Sequence, residues 1–354
     1  MYRLVQRRGI IGLFCLLFVA SSVVPGWAQK DNRFEVSKNL DIFNSLLKEV
    51  EMFYVDSVDV DKTVQRGIEA MLAGLDPYTE YYPEQKTEEL SLMTTGEYGG
   101  IGSLIRQRNN EGGVMIAEPT EGMPADLAGL KPGDLILAID TIDVSKATNS
   151  RVSELLKGVP NTKMVLTIQR PGEKKPRKFE ITRKQITTPQ VTYYGVKNDS
   201  IGYIYLKAFT IKSAQEVKEA FLDLKKNHNI KSLVLDLRGN GGGVLEGAVQ
   251  IVGMFVPKGS EVLSTKGKIK QWDRTYRTST EPLDTVMPLA ILINGGTASA
   301  AEIVSGSLQD MDRAVLVGQR SFGKGLVQAP RDLPYNGKVK ITMSKYYIPS
   351  GRCI

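Results

Sequence analysis

Three short stretches of this 354-residue sequence set reactive groups beside unencumbered backbone. The first is Arg238-Gly239-Asn240-Gly241-Gly242-Gly243, which follows an apolar run ending at Leu237. Its glycines let backbone N–H groups approach a ligand with no side chain in the way. The second, Asn294-Gly295-Gly296-Thr297-Ala298-Ser299, places Ser299 at the start of a helix. Unpaired N–H groups and the helix dipole favour negative charge there. A serine next to a glycine-rich backbone suits acyl transfer, as a nucleophile beside an oxyanion hole. Its competing role is a plain helix N-cap, and position alone favours that role. The third stretch is Ser321-Phe322-Gly323-Lys324-Gly325-Leu326-Val327-Gln328, in which Lys324 is flanked by glycines and apolar residues rather than by charge.

The chain holds one histidine and two cysteines. A disulfide framework, a Cys/His zinc site and a Cys-Cys redox motif therefore have no material, and no metal site is expected. A Ser-His-Asp triad would need His228, which lies in Lys225-Lys226-Asn227-His228-Asn229, a polar helix end expected to face solvent. The remaining base for a serine is a lysine whose pKa is lowered toward neutrality by burial or neighbours. Lys324 is the candidate, because most other lysines lie in polar runs such as Lys174-Lys175 and Lys225-Lys226. A rival use of the same stretch is nucleotide binding. Gly318 to Lys324 fits the first seven positions of a phosphate-binding loop, but the Ser or Thr required next is Gly325.

The elements around these groups begin with residues 1–28, which read as an export signal. Arg3, Arg7 and Arg8 form a basic start. Ile10 to Val24 is an almost unbroken apolar run, too short to span a bilayer comfortably. Gly26-Trp27-Ala28 supplies small residues at the −3 and −1 positions of a cleavage site. The alternative is an uncleaved anchor, the sole expected contact with a membrane. Cys15 lacks the small residue that precedes a lipoprotein cysteine, so acylation is not expected there. Loss of a segment with three arginines and no acid takes the net charge from +7 to +4. That weak field, without a basic run and interleaved aromatics, does not point to nucleic acid.

Residues 29–95 form an N-terminal helical segment. Leu40, Phe43, Leu46, Leu47, Val50 and Phe53 recur at helical spacing, and a second helix runs from Asp61, its expected N-cap, to Leu75 before Asp76-Pro77 stops it. Residues 96–185 are short β-like runs punctuated by Gly, Pro and Asn, with two short helices. From 186 to 354 strands alternate with helices, as in an α/β layered domain. Ile201 to Leu206, Ser232 to Leu237 and Pro288 to Ile293 are its apolar strands, and Ser213 to Lys226 is an amphipathic helix. Active groups in such folds lie where strands end and helices begin.

The middle segment resembles a PDZ domain. Residues 122–144, "GMPADLAGLKPGDLILAIDTIDV", are similar to the interior of the bacterial type, and "GGIG" at 99–102 sits where such domains keep their carboxylate loop. Gly100, Ile101 and Gly102 are then the expected peptide-binding residues. A glycine turn makes an anion nest, and the strand edge beside it accepts an extended peptide.

As a whole the chain resembles the carboxyl-terminal processing peptidases, the tail-specific proteases of family S41 with a Ser/Lys pair. "LDPYTEYY" (75–82), the PDZ segment, "LVLDLRGNGGG" (233–243), "NGGTASAAEI" (294–303), "SFGKGLVQ" (321–328) and "YYIPSGR" (346–352) fall in the family's order. The resemblance implies a multidomain α+β protein: a helical N-terminal segment, a PDZ domain built as a β-sandwich-like barrel with two helices, and a protease core of the ClpP/crotonase-like type. It implies Ser299 as nucleophile, Lys324 as base, Gln328 as the group that holds the lysine, and the N–H groups of Gly242 and Ala300 as oxyanion donors. It implies no cofactor, protein substrates with exposed apolar C-termini, and export to a bacterial periplasm or cell envelope. An oligomer is compatible with it. Two positions depart from the family, Gly241 where a proline is common and Ala301 where a second serine is common. The family's core also usually continues past "PSGR", so the chain is expected to be truncated at Ile354. The alternative function is a catalytically inactive PDZ-type binding protein for C-termini.

Overall fold

The computed structural model describes residues 33–108 and 112–354. The expected export signal, with Cys15, lies outside the described residues. The chain divides into two compact units, Met1–Ile68 and Glu69–Ile354.

The first unit contains α1 (Arg33–Phe53), which buries none of its residues, and most of α2 (Val60–Ala73). The N-cap of α2 is Asp59, not Asp61. Asp59 Oδ1 accepts the backbone N–H of Lys62 at 3.1 Å, whereas Asp61 already lies in the first helical turn. The side chain just ahead of the helix is the one that reaches the third amide. Among the described residues no helix is long and apolar enough to cross a membrane.

The second unit opens with β1 (Glu80–Tyr82), α3 (Thr87–Thr95) and β2 (Glu97–Gly100). A barrel-like sheet follows: β3 (Ser103–Gln107), β4 (Val114–Pro119), the short α4 (Pro124–Leu127), β5 (Leu135–Ile139), β6 (Ile142–Asp143), α5 (Asn149–Leu156), β7 (Lys163–Gln169) and β8 (Arg177–Thr182). β9 (Lys184–Thr187) pairs antiparallel with β2, so the chain enters and leaves this module through one two-stranded ribbon. Strands β4 and β7 alternate buried and half-buried positions. That period-2 pattern turns Val114, Ile116, Met164, Leu166 and Ile168 onto one packed core.

The remainder is layered. β10 (Val191–Lys197), β11 (Ile201–Leu206), α6 (Ser213–Asn227), β12 (Ser232–Asp236), α7 (Leu245–Gly253), β13 (Glu261–Gly267), β14 (Arg274–Arg277), β15 (Leu289–Ile293), α8 (Ala300–Asp310), β16 (Val315–Gly318), β17 (Leu326–Asp332) and β18 (Lys338–Tyr347) follow in order. One sheet has the order β10-β11-β12-β15-β16, with β11, β12, β15 and β16 parallel, as crossover helices require. Helices α6, α7 and α8 bury Phe221, Ile251 and Val304 in its core. β12 and β15 are neighbours in register, Asp236 opposite Leu292, so their C-terminal ends lie side by side.

A second sheet has the order β1-β18-β13-β14, with β17 also on β18. The stretch read as helical through residue 95 thus contributes a strand to this second sheet: Glu80 pairs with Lys340, 260 positions away.

Candidate active site

Ser299 is the N-cap of α8 and adopts φ 55° with ψ −118°. A residue with a β-carbon costs about 1–3 kcal/mol in such a conformation and keeps it only where its surroundings impose it. The surroundings here are dense. Ala298 N–H donates to Asn240 O at 2.9 Å, and Thr297 Oγ1 donates to Leu237 O at 2.7 Å. Both bonds tie the approach to α8 to the glycine stretch after β12. Gly239 N–H closes the same junction by donating to Asn294 Oδ1 at 2.9 Å.

Gly242 makes the closest approach. Its φ is +92°, and a β-carbon there would lie 2.7 Å from Ala298 O, 2.8 Å from Ser299 Cβ and 2.9 Å from Ala300 N. Only glycine fits. Gly242 N–H donates to Oδ1 of the fully buried Asn240 at 2.9 Å, and Asn240 Nδ2 is fixed on Leu206 O. Ala300 opens α8, where the first amides have no acceptor within the helix. Ser299, Gly242 and Ala300 therefore converge on one point, as expected from the paired ends of β12 and β15.

Two buried side chains couple Ser299 to Lys324. Glu302 is 1% exposed; its Oε2 accepts the N–H of Ser299 at 2.8 Å and of Lys324 at 2.9 Å, and its Oε1 accepts that of Gly323 at 2.6 Å. Tyr346, fully buried, donates its hydroxyl to Lys324 O at 2.7 Å and more loosely to Ser299 O at 3.2 Å. Burial, with Glu302 nearby, pushes the Tyr346 phenol far above its ordinary range, so it stays a donor. Sequence reasoning singled out neither residue. The Ser-x-x-Glu spacing of a capping box could have marked Glu302; Tyr346 carries no comparable signal. The amides of residues 323 and 324 are held by a carboxylate, which removes them from a phosphate cradle.

Burial and the like charge of Lys340 lower Lys324 below the ordinary lysine range, while Glu80, Asp76 and Glu302 oppose the shift. The amine lies 4.5 Å from the centroid of the Tyr78 ring and is not hydrogen-bonded to Ser299 Oγ. Gln328, on β17, donates Nε2 to Thr342 Oγ1 at 3.2 Å rather than to the lysine. His228 caps the far end of α6, half exposed, 3.7 Å from Asp223. At the end of β12, buried Asp236 accepts a fork from Arg238 (2.6 Å to Nη2) and the Tyr203 hydroxyl at 2.5 Å. Burial alone would raise the Asp236 carboxyl; these bonds outweigh it and hold it below the usual range.

The second expected site lies where β2 leads into β3. Gly100 ends β2; Ile101 is buried and its C=O accepts Ala125 N–H at 2.8 Å. Gly102 has φ +67°, and a β-carbon there would meet Met123 Cβ at 2.4 Å. Among the described residues β3 pairs only with β4, so its other edge is open. α5 lies beside it and runs antiparallel to it: Asn149 N–H donates to Gln107 Oε1 at 2.7 Å at one end, and Gly158 N–H to Gly99 O at 3.1 Å at the other. Ile101, Val152 and Leu156 are buried in the core between them, and Ile105 packs partly buried against it.

Residues 200–354 match the family described as Peptidase family S41, and residues 115–170 match the PDZ domain. The chain is 36% identical over 342 residues to a Bartonella bacilliformis protein named "Carboxy-terminal-processing protease", covering 96% of this chain and 76% of that one. It is 33% identical over 320 residues to a "Probable CtpA-like serine protease" of Staphylococcus aureus strain COL. That alignment covers 89% of this chain and spans 62% of the staphylococcal protein. A solved structure titled photosystem II D1 C-terminal processing protease aligns with a TM-score of 0.48 at 30% identity, over 87% of this chain and 82% of that one.

Proposed function

This chain belongs to peptidase family S41, and we propose that within it the protein is an exported serine endopeptidase that captures substrate C-termini and cleaves with a Ser299/Lys324 pair. Neutral Lys324 takes the proton from Ser299, whose oxygen attacks the scissile carbonyl. The N–H groups of Gly242 and Ala300 stabilise the oxyanion. Lys324 returns the proton to the leaving amine, and water releases the acyl group by the same route. Gln328 orients the lysine amine through its amide oxygen, its nitrogen being engaged by Thr342. The observation that supports this reading is the close approach of Gly242 to Ser299 and Ala300.

Two local adjustments accompany the reaction. The oxyanion competes with Asn240 Oδ1 for Gly242 N–H, a contest in which a full charge favours the oxyanion. The lysine amine turns from the Tyr78 ring toward Ser299 on its flexible stem. Substrate capture follows from the open edge of β3. A peptide adds there as a strand, its carboxylate on the amides of residues 100–102 and its apolar last side chain on the floor formed by Ile101, Ile105, Val152 and Leu156. Export rests on residues 1–28, and a mature chain beginning at Gln29 in an envelope fraction is its test.

The second reading, a binding protein without activity, draws on the same two contacts, since the amine and one oxyanion donor are both engaged elsewhere. An unstructured protein with an apolar C-terminus separates the two. The parent chain is expected to cleave it and Ser299→Ala to leave it intact. Equal cleavage by both overturns Ser299 as nucleophile; binding without cleavage by the parent supports the second reading.

A further inference from the structure

The turn Asp76-Pro77-Tyr78-Thr79 takes no step in the scheme above, yet it is fastened to the protease core. Asp76 Oδ1 accepts the N–H groups of Tyr78 at 2.7 Å and Thr79 at 2.8 Å, and its Oδ2 accepts the Thr79 hydroxyl at 2.8 Å. Thr79 is buried, and its oxygen accepts the N–H of Thr342, 263 positions away, at 3.1 Å. Thr342 is also the residue that receives Gln328. The turn thus shares an anchor with β17, the strand that begins two residues after Lys324. What it presents to the core is an aromatic face: the Lys324 amine sits 4.5 Å from the centroid of the Tyr78 ring.

We infer that Tyr78 is a positioning residue for Lys324, its ring walling the amine off from water and fixing where the amine rests. The inference rests on the reading of Lys324 as the base. The charged groups that face the amine are Lys340 from β18, Glu80 from β1, Asp76 from the turn itself and Glu302 from α8. The three carboxylates favour the ammonium, and Lys340 disfavours it. The ring acts in two opposed ways, because its face attracts the cation while its bulk excludes the water that would solvate it. Burial leads the causes that depress Lys324, and in this inference the ring's share of that burial outweighs its attraction for the cation. Removing the ring is therefore expected to make the lysine easier to protonate and less often a base.

The test reads the lysine directly. In the full chain carrying Ser299→Ala, acetylation of Lys324 by acetic anhydride is followed against pH by mass spectrometry, each curve scaled to its own high-pH plateau. Tyr78→Ala is expected to move the curve to higher pH, cutting the reacted fraction on its acid side about tenfold. Tyr78→Phe, which keeps the ring, follows the Tyr78 parent. If Tyr78→Ala does not fold, Tyr78→Gln takes its place and shifts the curve the same way, since its amide solvates the ammonium. A curve that stays in place, or moves to lower pH, overturns the inference. With Ser299 restored, the acid limb of kcat/KM against pH moves in step. A shifted acetylation curve with an unmoved acid limb keeps the role of the ring and removes Lys324 as the base.

Discussion

Glu302→Gln tests whether one carboxylate registers Ser299 on Lys324, the proposed nucleophile and base. Glu302 Oε2 holds the amides of Ser299 and Lys324, and Oε1 holds that of Gly323. A glutamine fills the same volume but keeps one oxygen. If that oxygen replaces Oε2, Gly323 faces an NH2 group; in the other orientation Ser299 and Lys324 do. One or two bonds to a charged acceptor are lost, at about 1.5–3 kcal/mol each, so the expected cost is about 1.5–6 kcal/mol. For a unit of this size that corresponds to roughly 3–24 °C in the midpoint of the protease core's thermal transition. Activity should fall further than stability alone explains, because a misplacement of about 1 Å between reacting groups costs about a hundredfold. The assay is a thermal melt followed by circular dichroism, with kcat/KM measured well below the lowered midpoint. A midpoint within about 2 °C of the parent and kcat/KM within about threefold would refute the reasoning.

Further outcomes follow from the two sites. Lys324→Arg is expected to be inactive although it keeps the charge, because arginine does not deprotonate; in the parent, activity rises with pH as the depressed lysine loses its proton, and a flat profile contradicts the assignment. A peptide with an apolar C-terminal residue should bind the β3–α5 groove at least about tenfold more tightly with a free carboxylate than with an amide, read by fluorescence anisotropy. Gly102→Val should abolish that preference, since the left-handed backbone at this position leaves no room for a β-carbon beside Met123.

The sequence reveals most where local pattern and structure coincide. The apolar runs at 201–206, 232–237 and 288–293 are strands β11, β12 and β15, and the glycine stretches that follow the last two are the junctions that meet at Ser299. The multidomain α+β class implied by the motifs holds as well. The second sheet is different. Its longest strand, β18, reads KVKITMSKYY and is half-buried along most of its length, so no apolar run announces it. β1 is three residues long and exists through a partner 260 positions away. The site divides in the same way. Ser299, Gly242 and Ala300 lie at strand ends that parallel pairing must bring together. Tyr346 and Tyr78 act through contacts between distant segments, which no local spacing encodes, and the capping-box spacing of Glu302 announces its bond to Ser299 but not those to residues 323 and 324. Gln328 donates its amide nitrogen to Thr342, a contact that its motif does not announce.

The central claim is that Ser299 forms the acyl-enzyme with Lys324 as its base. Its most direct test is intact mass and peptide mapping after treatment with a fluorophosphonate, which reacts with an activated serine. The account predicts one adduct, on Ser299, absent from Ser299→Ala and strongly slowed in Lys324→Ala. An adduct on a different serine, or labelling of Ser299 that is indifferent to the loss of Lys324, would contradict it.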